Sequence, residues 1–263
     1  MRIINAPSPM PDAPPLSRWS SGMEPMDAAL GGGLAHGCLH EIYAAEVGDA
    51  AAAAGFTLGA AMGMCGGGMS GARPLLWLRS RRAVGALGVF QGAGWAELGG
   101  APDGGLVGVV GDTMGLLRAA VDGLRCAALG AVVVESWGAM RELDLTASRR
   151  FALAAEQSGV PLLLLRMDAA PTPSAARTRW QVTAAPSQAL LGNAPGAPCF
   201  DVTLLRQRSG PSGQSWRLEW DREKCQFRKG QNHEALSGAV VPVPLDRPAQ
   251  GRAGDRAGER HAA

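Results

Sequence analysis

The sequence predicts an α/β protein: a three-layer αβα sandwich on a mostly parallel central sheet, with an antiparallel extension at its C-terminal strands. Three observations predict it. Short apolar runs, "PLLWLR", "GLVGVV", "AVVVES" and "VPLLLLR", alternate with longer helical stretches. These runs are apolar throughout rather than at every second residue, the pattern of parallel strands covered on both faces by crossover helices. After Arg166 the helical stretches stop and only strand-like runs follow, so the last part of the folded chain joins the sheet antiparallel at one edge.

Taken in order, Met1–Pro15 is Pro-rich and reads as a flexible arm. A short helix, Pro25–Leu30, leads into the glycine turn of "LGGGLAHG". "CLHEIYA" is a strand, Ala50–Met64 an Ala-rich helix and "CGGGMSGAR" a loose turn. "PLLWLR" is a strand, and Ala83–Glu97 a weak helix interrupted by glycines. "GLVGVV", "AVVVES" and "VPLLLLR" are strands, separated by helices over Thr113–Leu129 and Asp144–Ser158. "RWQVTAA", "CFDVTLLRQR" and "QSWRLEWD" are the late strands, the last two joined through "SGPSG" as a hairpin starting near 199. The folded domain therefore spans 16–241. From 242 to 263 Pro, Arg, Gly and Ala dominate, the composition of a disordered tail.

The chain has 263 residues, 46% of them hydrophobic, enough for one sizeable core. Its net charge of +2 neither favours nor excludes a nucleic-acid partner, and only Lys224 and Lys229 are lysines. Cys38, Cys65, Cys126, Cys199 and Cys225 are scattered without metal-ligand spacing and read as buried free thiols of a reducing cytosol. No signal peptide is expected, and the longest apolar stretch is broken by glycines, so no membrane span is expected either. His36 and His40 span a turn and a strand rather than one helix face, so no metal site is expected. No Ser stands in a "GxSxG" setting, and Cys199 has no histidine within sequence reach, which leaves no hydrolase signature.

In an open α/β sheet a phosphate-binding loop lies where a strand ends and a helix begins. Here that place is Ala44–Ala51. A working loop needs glycines, a lysine and a hydroxyl for magnesium. This one has a single glycine, and no lysine precedes Lys224. Glu46 and Asp49 would face incoming phosphates with like charge. Asp49 is placed to cap the helix and satisfy its N-terminus. Glu135 ends "AVVVES" and reads as an acid at the sheet rim.

At this point the residues resemble a known group. "SSGMEPMDAALGGGLAHGCLHEIYA" resembles the lead-in to the phosphate loop of RecA-like recombinases, carried by Gly22, Asp27, Leu30 to Gly33, Gly37, Glu41 and Tyr43. Lined up from Glu41, the loop's lysine and hydroxyl positions fall on Ala50 and Ala51, and the acidic strand end on Glu135. Where a recombinase carries its general-base glutamate, this chain has "LRSRRA". The degenerate version, with "SAARTRWQVTAAPS" later on, is similar to the ImuA family, the RecA-like accessory proteins of the bacterial inducible-mutagenesis cassette. The resemblance covers roughly Ser20 to Trp220. It implies a non-catalytic organiser with no cofactor in SOS-induced translesion synthesis, cytoplasmic and nucleoid-associated when DNA is damaged. The implied partners are an ImuB-like Y-family polymerase homologue and an error-prone DNA polymerase III alpha-type subunit. Two alternatives follow at the same level: a divergent RecA-like DNA-dependent ATPase of recombination, and an inhibitor of cell division resembling SulA.

Contact residues are expected late in the chain. Arg206, Arg208, Arg217, Arg222, Lys224, Arg228 and Lys229 outnumber Glu219, Asp221 and Glu223. With Arg166, Arg177 and Arg179 they are expected to form one positive stripe for single-stranded DNA or a polymerase partner. Trp180 and Trp137 are expected where loops leave the sheet, as partner anchors. The arm is a candidate for self-association.

Overall fold

A computed structural model describes residues 16–67, 72–101, 103–194 and 196–231. The expected arm and tail lie outside the described residues. The chain enters through β1 (Arg18–Trp19), α1 (Glu24–Ala29) and β2 (Leu34–Ala35), which pairs antiparallel with β1. Pro25 opens α1 where its missing N–H costs nothing. The Asp27 carboxylate takes the hydroxyls of Ser20 and Ser21, both at 2.7 Å, and so ties strand to helix. Gly33 lies at φ 110°, and a Cβ there would stand 2.1 Å from the Trp19 carbonyl oxygen, so only glycine makes this crossing.

The core elements follow as β3 (Leu39–Ala44), α2 (Ala50–Met64), β4 (Leu75–Ser80), α3 (Arg81–Leu87), α4 (Gly92–Glu97), β5 (Gly105–Val110), α5 (Thr113–Leu124), β6 (Ala131–Trp137), α6 (Leu145–Ser158), β7 (Leu162–Met167), β8 (Thr178–Ala185), β9 (Cys199–Gln207), β10 (Ser215–Asp221) and β11 (Gln226–Lys229). They build a nine-stranded sheet in the order β11-β10-β9-β8-β3-β7-β6-β4-β5. From β8 to β5 every pairing is parallel; from β8 to β11 every pairing is antiparallel. Alternation along the strands feeds two cores. Ile42, Val133, Leu163 and Val182 point to the α2 side, and Leu39, Val132, Leu162 and Leu164 to the α5 and α6 side.

Helix α2 is apolar on every side, and from Phe56 to Met64 it is covered on every side. The sheet twists with each strand, so its antiparallel end closes over this helix. Gly55, Gly59 and Gly63 form one stripe, and the rings of Phe200, Trp220 and Trp19 lie against it at 3.2, 2.8 and 2.3 Å from where a Cβ would be. Phe56 stacks on Phe227 with ring centroids 5.2 Å apart. Small residues at i, i+4 spacing thus let aromatic rings reach the helix backbone.

His40, 1% exposed on β3, shows how a polar group is buried without loss. Its Nε2 lies 2.9 Å from the Ala35 carbonyl oxygen, which only accepts, so Nε2 carries the proton. Nδ1 then accepts from the Thr178 hydroxyl at 2.7 Å, and Thr178 Oγ1 accepts the indole N–H of Trp180 at 2.8 Å.

Several sequence expectations are corrected here. The helix expected over Ala83–Glu97 is two short helices, because Gly88 at φ 78° ends the first. Helix α5 stops at Leu124, where Arg125 caps it, not at Leu129. Strand β5 is an edge with Leu106 64%, Val107 45% and Val109 55% exposed, so it is not covered on both faces. Strands β1, β2 and β11 are not foreseen by the sequence reading. Cys126 is exposed and Cys38 half-buried, so the thiols are not uniformly buried.

Candidate functional site

At the C-terminal end of β3 the chain makes a single 3-10 turn, Val47–Asp49, and passes directly into α2. Sequence dictates this compactness: the segment lacks the run of glycines that would let it arch over a ligand. The turn is pinned to β8. The Ala45 N–H donates to the Val182 carbonyl at 2.9 Å, and the Ala184 N–H donates to the Asp49 carboxylate at 2.8 Å. The other Asp49 oxygen accepts from the Glu46 N–H at 3.2 Å. Asp49 does stand at the N-cap position of α2, but its carboxylate bonds no N–H of that helix; this corrects the capping expectation. Ala50 is buried in the first turn, Ala51 is exposed, and Glu46 is exposed with its side chain turned back to accept the Asp49 N–H.

Glu135 is not at the rim. It lies inside β6, 2% exposed, opposite Arg79 of β4. Arg79 Nη2 meets Glu135 Oε1 at 2.6 Å, and Arg79 Nε meets Oε2 at 2.8 Å. The indole N–H of Trp77 adds a third donor to Oε2 at 2.7 Å, and Arg79 Nη1 reaches the Gly88 carbonyl at 2.8 Å. A two-pronged guanidinium–carboxylate pair of this kind is short and directional. The carboxylate that would help hold a cation in a phosphate-binding sheet is already neutralised by a cation of the chain. No lysine or hydroxyl opens α2, and the acid is engaged. Among the described residues no group of three His, Cys, Asp or Glu side chains could hold a metal ion.

On the opposite face, Glu41 of β3 accepts Nε and Nη2 of Arg179, both at 2.8 Å. The ring of Tyr43 lies between two guanidiniums, Arg166 at 5.7 Å and Arg179 at 5.8 Å. Burial pushes the Tyr43 hydroxyl's pKa up, and Glu41 adds to the rise.

The expected basic stripe is divided. Arg166 is buried and Arg179 is paired with Glu41, so neither faces a ligand freely. Trp180 is 1% exposed in mid-sheet and cannot anchor a partner as the protein stands; Trp137 is half-buried at the end of β6. Arg217 pairs with Asp201 at 2.6 Å, and Arg228 pairs with Glu219. Arg206 and Arg208 leave β9 at the end where β8 starts, beside Arg177. Arg222 and Lys224 sit in the β10–β11 turn, with Lys229 at the end of β11, all exposed. Seven residues of β10 at about 3.3 Å each separate Arg222 and Lys224 from the first group, while Lys229, opposite Leu218, lies part-way between. Sequence reasoning overlooked Arg79 and Trp77. The signal was there: a single arginine inside the apolar run "LLWLR", in a strand flanking that of Glu135.

The sequence matches no family model and no curated protein. Among solved structures, the chain is similar to the crystal structure of the RadB recombinase, with 14% identity and a TM-score of 0.50 over 78% of this chain and 97% of that one. The fold is RecA-like. Its sheet is antiparallel at the C-terminal strands and parallel elsewhere, as the sequence predicts. In this RecA-like domain the Val47–Asp49 turn joins β3 to α2, and Glu135 and Arg79 lie on β6 and β4, beyond β7. Among the described residues no helix is long and apolar enough to cross a membrane.

Proposed function

We propose that this RecA-like domain works without nucleotide, as an accessory protein of error-prone translesion DNA synthesis in the cytoplasm. The observation that carries the first half is the buried Arg79–Glu135 pair, which engages the acid that the RecA-like resemblance lines up with the metal–nucleotide position. The second half rests on the ImuA-like stretches "GGGLAHGCLHEIYA" and "SAARTRWQVTAAPS". On this reading the protein organises an ImuB-like polymerase homologue and a polymerase III alpha-type subunit. Exposed Arg222, Lys224 and Lys229 supply a contact for DNA or for an acidic partner face. Calorimetry with Mg-ATP on the full chain tests the first half: affinity no better than millimolar is expected, and a micromolar Kd defeats it. Co-purification with an ImuB-like protein, weakened when Arg222, Lys224 and Lys229 become Ala, tests the second.

A second reading is favoured by the structural likeness itself. Likeness to a recombinase supports a divergent RecA-like ATPase acting on DNA. DNA-stimulated ATP hydrolysis by the purified chain separates the two readings directly.

A further inference from the structure

At the end of the sheet opposite the Val47–Asp49 turn, the starts of β3 and β8 and the end of β9 close with α1 and its glycine turn around a cavity of about 300 Å³. Three arginines line it, each from a different part of the chain: Arg18 of β1, Arg177 just ahead of β8, and Arg208 just past β9. Among the described residues no carboxylate lines it. Glu156 belongs to the adjoining groove, which shares Arg177 and Arg208 as a wall.

The three guanidiniums share one neighbourhood. All three act on the Cys38 thiol, pulling its pKa down while burial pushes it up more strongly. Arg177 and Arg18 also disfavour a charge on His40, which lines the same cavity and stays neutral. Two of the arginines are held by uncharged acceptors. Arg18 donates to the carbonyls of Leu30 and Gly33 at 2.8 and 2.9 Å, and Arg208 to that of Ala175 at 2.8 Å. Carbonyls orient a guanidinium without cancelling its charge. Arg177 has the Cys38 thiol beside it. Three like charges gathered in a partly enclosed space repel one another, and an anion there relieves that repulsion.

We propose that this cavity is a binding site for a phosphoryl oxyanion, with Arg177 and Arg208 as its direct donors and Arg18 as a fixed charge in its wall. A planar carboxylate is satisfied by one guanidinium fork. Cations lining one cavity from three chain segments suit a tetrahedral, multiply charged anion better. The volume lies at the small end for ligand sites, about 300–1,000 Å³. It admits a phosphate or phosphate monoester and excludes a duplex. The source is either a free phosphate compound or the terminal phosphate of a DNA strand. The inference needs only the cavity and stands apart from the functional reading above.

Isothermal titration of the full chain with inorganic phosphate tests it. Saturable binding is expected, weakened at least tenfold in Arg177→Gln and in Arg208→Gln. Arg118→Gln, on the exposed side of α5, should bind like the parent. No saturable binding, or binding that survives both cavity variants with native circular dichroism, overturns the site. A loss as large in Arg118→Gln also overturns it, since the effect would then be general charge. Competition with one short oligonucleotide in 5′-phosphorylated and 5′-hydroxyl forms identifies the source. Preferential displacement by the phosphorylated form assigns a strand end, and equal weak displacement assigns a free phosphate compound.

Discussion

Arg79 and Glu135 face each other across β4 and β6 with both carboxylate oxygens engaged, at 2.6 and 2.8 Å, and with side chains 6% and 3% exposed. A buried pair of this kind is worth little net against apolar residues of the same size, yet removing one partner strands the other. Arg79→Ala should therefore cost about 3–5 kcal/mol in urea unfolding. Arg79→Met combined with Glu135→Leu should recover most of that loss. A single variant within about 0.5 kcal/mol of the parent, the range of ordinary surface changes, shows that the pair is not isolated from water.

The same pair governs any attempt to rebuild a nucleotide site. Ala50→Lys with Ala51→Thr restores two residue types at the start of α2, but leaves Glu135 bound to Arg79 and Trp77. Equilibrium dialysis with Mg-ATP should show no gain from those two changes. A Kd that drops to micromolar with Arg79 intact would falsify the view that this arginine occupies the cation's role.

His40 makes stability depend on pH. Burial, the largest cause, holds its pKa at about 4 against 6.5 for an ordinary histidine. The groups facing it are Arg177, His36 and Arg18, with Thr178 and Ala35 at its nitrogens. The folded form is the weaker base, so the unfolded chain takes up the extra proton between about pH 6.5 and 4. The contribution is complete above that window and lost as pH falls through it, up to ~3 kcal/mol in all. Urea titrations at pH 7.5 and 4.5 on the parent and His40→Gln measure it: the difference between the two pH values should shrink in the variant.

Two glycine substitutions should move in opposite directions. A Cβ at Gly59 would stand 2.8 Å from the Trp220 ring, so Gly59→Ala should lower stability by about 1–3 kcal/mol despite alanine's better helix propensity. Gly85 in α3 has open space around it, and Gly85→Ala should raise stability by about 0.5–1 kcal/mol. Thermal unfolding of both variants is the check. Destabilisation by Gly85→Ala, or none by Gly59→Ala, contradicts the packing described.

Thiol chemistry offers a quick check of the fold. Cys126 is exposed just past α5 and should react with Ellman's reagent in the native protein. Cys65, buried and with its pKa pushed up to about 12, should react only on unfolding. Fast labelling of Cys65 in the native protein means that the end of α2 is open.

Much of the fold is legible in the sequence because burial on two faces leaves a plain mark. "AVVVES" and "VPLLLLR" can only be central strands, and Ala50–Met64 carries no polar face because β9, β10 and β1 surround it. What the sequence hides are elements whose identity comes from the partner. Strand β11 exists because Gln226–Lys229 pairs with Leu218–Asp221 and the Phe227 N–H bonds the Ser21 carbonyl. The site is less legible still. Counting charges between Arg206 and Lys229 finds an excess, but an antiparallel hairpin sends neighbours in sequence to opposite ends of a strand. Register pairing then couples Arg228 to Glu219, and Arg217 to Asp201. The pairing that engages Glu135 depends on Arg79, far away in sequence and adjacent only in the sheet.

The closure of α2 has a consequence for how the protein is made. Trp19 and Phe227 touch edge to face, 6.0 Å between ring centroids, and both cover the same helix. A ribosome releases the first of these rings early and the second only when the domain is nearly complete. Until then the apolar helix made in between has no lid. Closing it requires contacts of very long sequence separation, which form slowly. The nascent chain therefore carries an uncovered apolar rod through most of the domain's synthesis, a surface prone to aggregation until the last strands arrive.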